Sequence, residues 1–358
     1  ADDRGEVRMS LQEGTPLSKG YRMPAEWAKH DATWLSWPKN PLTFPDEVIE
    51  EVEGTFAQMA AALSSGELVK ILVDDQALEE RAYARVAVAG ADMSRVRFLR
   101  IRSADVWIRD YGPTFLLHDG TGRKAAVKWD FNAWGAKYDD LLYDDIAGQH
   151  VVESSGVPYF KPGIVLEGGS IDVNGNGLVL TTEQCLLNRN RNPQLDRQQI
   201  EGYLRSYIAA PDVIWLASGI EGDDTDGHID DFARFSSESA VLCAFSERGE
   251  NAPVLENNWS LLEKAKDRFG LELQRLPMPE PLFLEEESRN LPASYANFYI
   301  GNKVVLLPVF EDPMDKVAMD IMASHFPGRE IVPIEARELV YGYGGIHCVT
   351  QQEPAERG

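Results

Sequence analysis

Leu166-Glu167-Gly168-Gly169-Ser170-Ile171-Asp172-Val173 sets an acid and a glycine pair directly ahead of an apolar, strand-like run. A carboxylate on so apolar a stretch must be paired or its pKa rises, so Glu167 belongs beside another polar group, such as a histidine, in a site. The same arrangement recurs along the chain. Asp110 precedes Gly112-Pro113-Thr114-Phe115-Leu116-Leu117, His228 and Asp230 precede Phe232-Ala233-Arg234-Phe235, Asn297 leads into Phe298-Tyr299-Ile300, and Cys348 comes last. Counted from 110 through 167, 228, 297 and 348, the steps are 57, 61, 69 and 51 residues, with one more unit's worth of chain ahead of Asp110. A repeat decides an architecture before any single motif does. We read an α/β chain of five βαβ-type units around an axis, each offering side chains to one central site.

Local patterns agree with such units. Over 45–63 the apolar residues Val48, Ile49, Val52, Phe56, Met59, Ala60 and Leu63 recur at helical spacing. A strand at 68–73, a helix at 75–89 and a strand at 96–101 follow, after an aromatic strand at 33–38. Further helices are expected at 196–208, 254–269 and 313–325, with β-rich pieces at 177–182, 240–245 and 303–309. No low-complexity segment or long polar linker marks a boundary, so residues 1–358 read as a single domain.

Hydrophobic residues make up 44% and charged residues 26% of the 358, which is ample for a globular core. Lys and Arg total 35 against 58 Asp and Glu, a net charge of −23. Such a field repels nucleic acid and anionic membranes and suits a cationic substrate. No apolar run reaches the ~18 residues that span a bilayer, and residues 1–10 do not read as a signal peptide. The chain starts with Ala, which leaves open whether a leader or tag preceded it. Cys185, Cys243 and Cys348 are odd in number, widely spaced and without C-x-x-C. That argues against a disulfide framework and against zinc, and for a reducing, cytoplasmic setting. No cofactor and no metal are expected.

Residues 341–354, YGYGGIHCVTQQEP, introduce Cys348 through Gly342, Gly344 and Gly345, which let backbone approach a ligand closely. Cys348 is the candidate nucleophile, against the alternative of a small buried strand residue. His347 adjoins it, but on an extended strand the two would face opposite ways, which makes His347 a poor base. The run 221–231, EGDDTDGHIDD, is either a solvated loop or part of the site. If 227–234 is extended, His228 and Asp230 share one face, with Ile229 and Asp231 on the other. Trp107-Ile108-Arg109-Asp110-Tyr111-Gly112-Pro113 supplies a further acid with an aromatic neighbour. Residues 172–183, DVNGNGLVLTTE, fit the EF-hand loop spacing at Asp172, Asn174, Asn176, Gly177 and Glu183. Their apolar β-type flanks favour a hairpin tip over a calcium loop. Cys185 and Cys243, in apolar β-type surroundings, read as structural.

With Trp107 to Pro113, Glu167-Gly168-Gly169, the 222–231 run, Leu291-Pro292-Ala293-Ser294-Tyr295-Ala296-Asn297-Phe298 and Gly344-Gly345-Ile346-His347-Cys348 together, the chain resembles the agmatine deiminase family. That family belongs with the bacterial peptidylarginine deiminases in the guanidine-modifying superfamily. The resemblance runs from Met23-Pro24-Ala25-Glu26-Trp27 to Gln351-Gln352. It implies a five-bladed α/β propeller (pentein) with pseudo-fivefold symmetry, a homodimer, and hydrolysis of agmatine to N-carbamoylputrescine and ammonia. By resemblance, Cys348 is the nucleophile and His228 the general acid and base. Asp110 and Asp230 grip the guanidinium, and Glu167 orients the histidine. Asp224 meets the distal amine, Trp107 walls the pocket, and Asn297 matches an active-site asparagine of a related deiminase. One departure falls after Trp37-Pro38, where the family often has a basic and Asp-Asn-Trp pattern and this chain has Lys39-Asn40-Pro41-Leu42-Thr43-Phe44-Pro45. The other readings are a peptidylarginine or free arginine deiminase, a thiol peptidase, and a non-enzymatic cation-binding propeller. A peptidase has no use for convergent acids, which would repel an oxyanion.

Overall fold

The structure, a computed structural model, describes residues 11–285 and 288–357. The expectation of no signal peptide falls on residues 1–10, outside the described residues. The chain is α/β. Among the described residues, five sheets repeat one pattern in which a middle strand pairs antiparallel with one neighbour and parallel with the next. Four units are continuous in sequence. They are Thr114–His118, Lys124–Val127 and Tyr159–Phe160; Asp172–Val173, Leu178–Thr182 and Asp212–Leu216; Ala233–Phe235, Ala240–Ala244 and Glu272–Leu276; and Tyr299–Ile300, Val304–Val309 and Glu330–Glu335. The fifth takes its antiparallel strand from the far end of the chain. Gln351–Pro354 lies against His30–Ser36, which runs parallel to Leu68–Val73, with Val96–Arg100 beyond.

A parallel pair cannot be joined by a hairpin, so each middle strand leaves through a helical crossover. The crossover helices are Ile49–Ser64, Asp144–Ser155, Arg197–Ile208, Ala252–Phe269 and Met314–His325. The unit is therefore ββαβ. In Ile49–Ser64, Val52, Phe56, Met59, Ala60 and Leu63 line one stripe that is fully buried. Each side chain of Phe or Leu size contributes about 2 kcal/mol by leaving water. Asp196 caps Arg197–Ile208, and Gln199 returns the bond to the Asp196 N–H in a capping box.

The helices expected at 75–89 and 254–269 occur as Gln76–Val88 and Ala252–Phe269. Asn174 to Gly177 form the expected hairpin tip, with Gly175 and Gly177 at φ 71° and 92°. The EF-hand-like residues around it are committed separately. Asp172 pairs with Arg234, the Asn174 side chain caps its own turn, and Glu183 pairs with Arg197. In every unit the chain enters its first strand through a turn, and those turns carry the candidate residues.

Candidate active site

The five leading turns meet. Cys348 is buried, and its Sγ lies 3.3 Å from Asn297 Nδ2 and 3.9 Å from Asp230 Oδ2. Asn297 holds the cysteine turn from the neighbouring unit, its Oδ1 accepting the His347 N–H at 2.8 Å and the Cys348 N–H at 3.4 Å. Its Nδ2 also donates to Asp231 Oδ1 at 2.9 Å. That approach needs a glycine, because a Cβ on Gly345 would sit 2.4 Å from Asn297 Oδ1. Arg109 N–H donates to the Cys348 carbonyl at 3.2 Å, tying the cysteine turn to the Asp110 turn.

Asp110 is fixed from two sides: Oδ1 accepts the Gly169 N–H at 2.9 Å and Oδ2 accepts the Trp134 indole N–H at 3.0 Å. His228 Nδ1 faces Asp110 Oδ1 at 3.8 Å and Asp230 Oδ1 at 4.0 Å. Among the described residues, both His228 ring nitrogens, Asp230 Oδ1 and Glu167 Oε2 are buried without a hydrogen-bond partner. Buried polar atoms are rarely left so, and these converge on one place. Gly169 backs it. A Cβ there would lie 2.6 Å from His228 Nδ1, 2.8 Å from Asp110 Oδ1 and 3.0 Å from Asp230 Oδ2. Gly169→Ala is expected to destabilise the fold by about 1–3 kcal/mol through overpacking. It should also lower turnover about a hundredfold by displacing all three groups. Thermal melts beside steady-state rates check this; full activity would mean the backbone gives way freely.

The electrostatics are those of a site built for a cation. Burial raises the Asp110 carboxyl to about 6, with His228 acting against it and Asp230 and Glu167 adding to it. Burial alone would lower the His228 pKa, but Asp110, Cys185 and Glu167 lift it well above its usual value, which favours the charged ring. Burial and then Asp230, Asp231 and Asp110 push the Cys348 thiol well up. Asp230 stays below the usual range: burial opposes this, and the His347 hydrogen bond with the His347, His228 and Arg234 charges outweighs it.

Cys348 and Asp110 lie on the wall of a cavity of about 400 Å³. Trp107, Trp134, Tyr138 and Asp224 line it as well. Tyr138 donates its hydroxyl to Asp224 Oδ2. Pro41, Leu42, Thr43 and Pro45, from the departing stretch, line the cavity together with Tyr341, Gly342 and Tyr343, and Gly342 packs against Thr43 and Phe44.

Four expectations change. Residues 227–234 are not extended throughout: Ile229–Asp231 is a 3-10 turn, and that turn brings His228 and Asp230 together while burying Asp231 against Asn297. His347 sits in a turn rather than on a strand, bonded to Asp230 and Glu26 at 2.7 Å each. Glu167 lies beside His228 but is bonded elsewhere, its Oε1 meeting Arg191 Nε at 2.5 Å. Cys185 occupies the short helix Glu183–Leu186, close to His228, rather than a strand. Sequence reasoning missed Glu26, Arg191, Trp134 and the role of His347. Trp134 had a faint signal, an Asn-Ala-Trp-Gly turn, which folds with Ala133, Trp134, Gly135 and Ala136 all at positive φ. Three non-glycine residues there cost roughly 1–2 kcal/mol each, a strain that aims the indole at Asp110.

With that geometry in place, comparison with known proteins is informative. The model of the Porphyromonas-type peptidyl-arginine deiminase family matches residues 22–354. The chain belongs to that family. It is 38% identical over 372 residues to an agmatine deiminase of Stutzerimonas stutzeri, covering 97% of this chain and 99% of the other. An agmatine deiminase of Pseudomonas aeruginosa is 37% identical, with 98% and 100% covered. Among solved structures, the agmatine deiminase of Enterococcus faecalis superposes with a TM-score of 0.88 at 32% identity, covering 97% and 99%. The Campylobacter jejuni agmatine deiminase superposes at 0.82 and 29%, covering 94% and 97%. Members of the family thus share this α/β fold over almost their whole length.

Proposed function

We propose that the chain is an agmatine deiminase, a hydrolase of C–N bonds in linear amidines that releases ammonia and leaves N-carbamoylputrescine. The observation that carries this is the position of the Cys348 sulfur, on a cavity where Asp110 and Asp224 bring carboxylates and Trp107, Trp134 and Tyr138 bring aromatic faces. A planar, permanently charged guanidinium with an amine-bearing tail matches those walls. The curated relatives named above act in the same sense.

Asp110 and Asp230 accept the guanidinium N–H groups and present its central carbon to sulfur. The arriving cation offsets the carboxylate field that keeps the Cys348 thiol protonated; the thiol releases its proton to solvent and the thiolate attacks. His228, already protonated, gives a proton to the departing nitrogen, and ammonia leaves an amidino-thioether on Cys348. The now neutral His228 takes a proton from water as it adds to that carbon. Collapse expels the sulfur, which takes the hydroxyl proton and is restored as the thiol, and releases the ureido product. Glu167, anchored by Arg191, keeps a negative charge close to His228 that favours its protonated form. We propose also that residues 1–358 form one catalytic domain whose five ββαβ units are blades of a propeller. The meeting of their five leading turns supports this. A cytoplasmic homodimer completes the reading, and light scattering checks the dimer. No helix among the described residues is long and apolar enough to cross a membrane.

Ammonia release from agmatine, free arginine and a blocked peptidyl-arginine tests the substrate. Turnover of agmatine alone is expected, and turnover of the peptide alone would move the function to protein modification. The titration of Asp110 makes a pH prediction. Its folded value of about 6 lies above the ordinary 3.8, so the folded state keeps a proton that the unfolded state has lost. Stability of the free enzyme should therefore fall as pH rises through that window, while substrate binding needs the carboxylate and strengthens. kcat/KM should drop as pH falls through about 6. Asp110→Asn and Asp230→Asn should each lower turnover by about a thousandfold in folded protein. Near-normal rates in either would remove the guanidinium clamp.

A further inference from the structure

Behind Asp230 runs a line of alternating charge that ends in the N-terminal part of the chain. His347 Nδ1 lies 2.7 Å from Asp230 Oδ2, and Nε2 lies 2.7 Å from Glu26 Oε2. Glu26 Oε2 also meets Arg234 Nη2 at 3.0 Å and Arg109 Nη2 at 3.6 Å, and Glu26 Oε1 accepts the Ile300 N–H at 2.8 Å. All five charged side chains are buried. An imidazole with a carboxylate on each nitrogen satisfies both only by donating from both, as the imidazolium. Every charge in the line then has an opposite neighbour, the condition under which buried ions are tolerated.

Two consequences follow for the site. His347 has no nitrogen left to move a proton, although it adjoins Cys348. Asp230 has one oxygen taken and the other, Oδ1, without a partner and 4.0 Å from His228 Nδ1. A carboxylate held by one oxygen cannot swing away, and its free oxygen is already aimed before substrate arrives. Resting on the deiminase reading, we propose that His347, braced by Glu26, is a positioning residue that fixes Asp230 so that Oδ1 receives the substrate guanidinium. Asp230 is also faced by His228, Arg234, Asp110, Asp231 and Cys348. Of these only the Cys348 thiol reaches Oδ2, at 3.9 Å, so losing His347 leaves that oxygen with one long donor and favours the protonated acid.

The test compares His347→Gln and Glu26→Gln in wild-type and in Asp230→Asn enzyme, with steady-state kinetics across pH. KM for agmatine should rise about tenfold or more with kcat changing less, and the acid limb of kcat/KM should move up by about one to three pH units. In the Asp230→Asn background the same changes should shrink to about twofold, because the residue they act through is already disabled. An equal loss in both backgrounds, or an unchanged KM and pH profile, overturns the proposal. If circular dichroism shows His347→Gln unfolded, Glu26→Gln, which keeps the shape and removes only a charge, carries the test. If wild type fails to turn over agmatine, the deiminase reading fails by itself. Calorimetric binding of guanidinium to Cys348→Ala, with and without Glu26→Gln, then decides the positioning role: about tenfold weaker binding supports it and equal binding overturns it.

Discussion

Replacing Cys348 with alanine is expected to lower ammonia release from agmatine by about 10⁵-fold or more, since removing a nucleophile leaves only binding and electrostatic stabilisation. The fold should survive. Cys348 is buried, but its Sγ makes long contacts: 3.3 Å to Asn297 Nδ2, 3.6 Å to Asn297 Oδ1 and 3.9 Å to Asp230 Oδ2. Loss of one sulfur from such a setting costs about 1 kcal/mol. The turn is held instead by backbone groups, the His347 and Cys348 N–H groups on Asn297 Oδ1 and the Arg109 N–H on the Cys348 carbonyl. A variant with a wild-type melting curve and no turnover separates chemistry from folding. The field that raises the thiol also makes free wild-type enzyme slow toward iodoacetamide, because the thiolate is the reactive form. Cys185 and Cys243 are buried and their thiols raised as well, so they should not confuse that readout.

The second large effect is expected at His228. His228→Gln should lower kcat by about 10³- to 10⁴-fold, since one ring serves both proton transfers. The variant removes a buried charge that Asp110, Glu167 and Asp230 face, so those acids lose a counter-cation together. Substrate cation is then the main charge left to offset them, and guanidinium binding should hold or tighten while turnover collapses. That split between KM and kcat distinguishes a proton-transfer role from a purely structural one. Retained turnover with weakened binding would assign His228 to substrate positioning instead.

The repeat was legible because each unit begins with a polar turn and continues into an apolar strand, as at Glu167 and Asp230. Periodicity also located four of the five crossover helices, but not Asp144–Ser155. Turn geometry was not legible in the same way. Residues 227–234 alternate well enough to read as extended, yet Ile229–Asp231 coils into a 3-10 turn because Asp231 finds Asn297, a partner 66 residues away. His347 failed for a related reason: facing rules for strands do not apply in a turn, and its partner Glu26 lies 321 residues away. Buried salt bridges of this kind leave no local signature, so Glu26 and Arg191 could be seen only once the chain was folded. Trp134 was hidden by its left-handed backbone, which no propensity predicts for Ala-Trp-Gly-Ala.

The covalent step can be observed directly. Wild-type enzyme quenched in acid during agmatine turnover, digested and measured by mass spectrometry, should carry on the Cys348 peptide the mass of agmatine less that of ammonia. The adduct should be missing from Cys348→Ala and should decay with the same rate constant at which ureido product appears. A peptide map without that adduct, together with undiminished ammonia release from Cys348→Ala, would contradict nucleophilic deimination at this site.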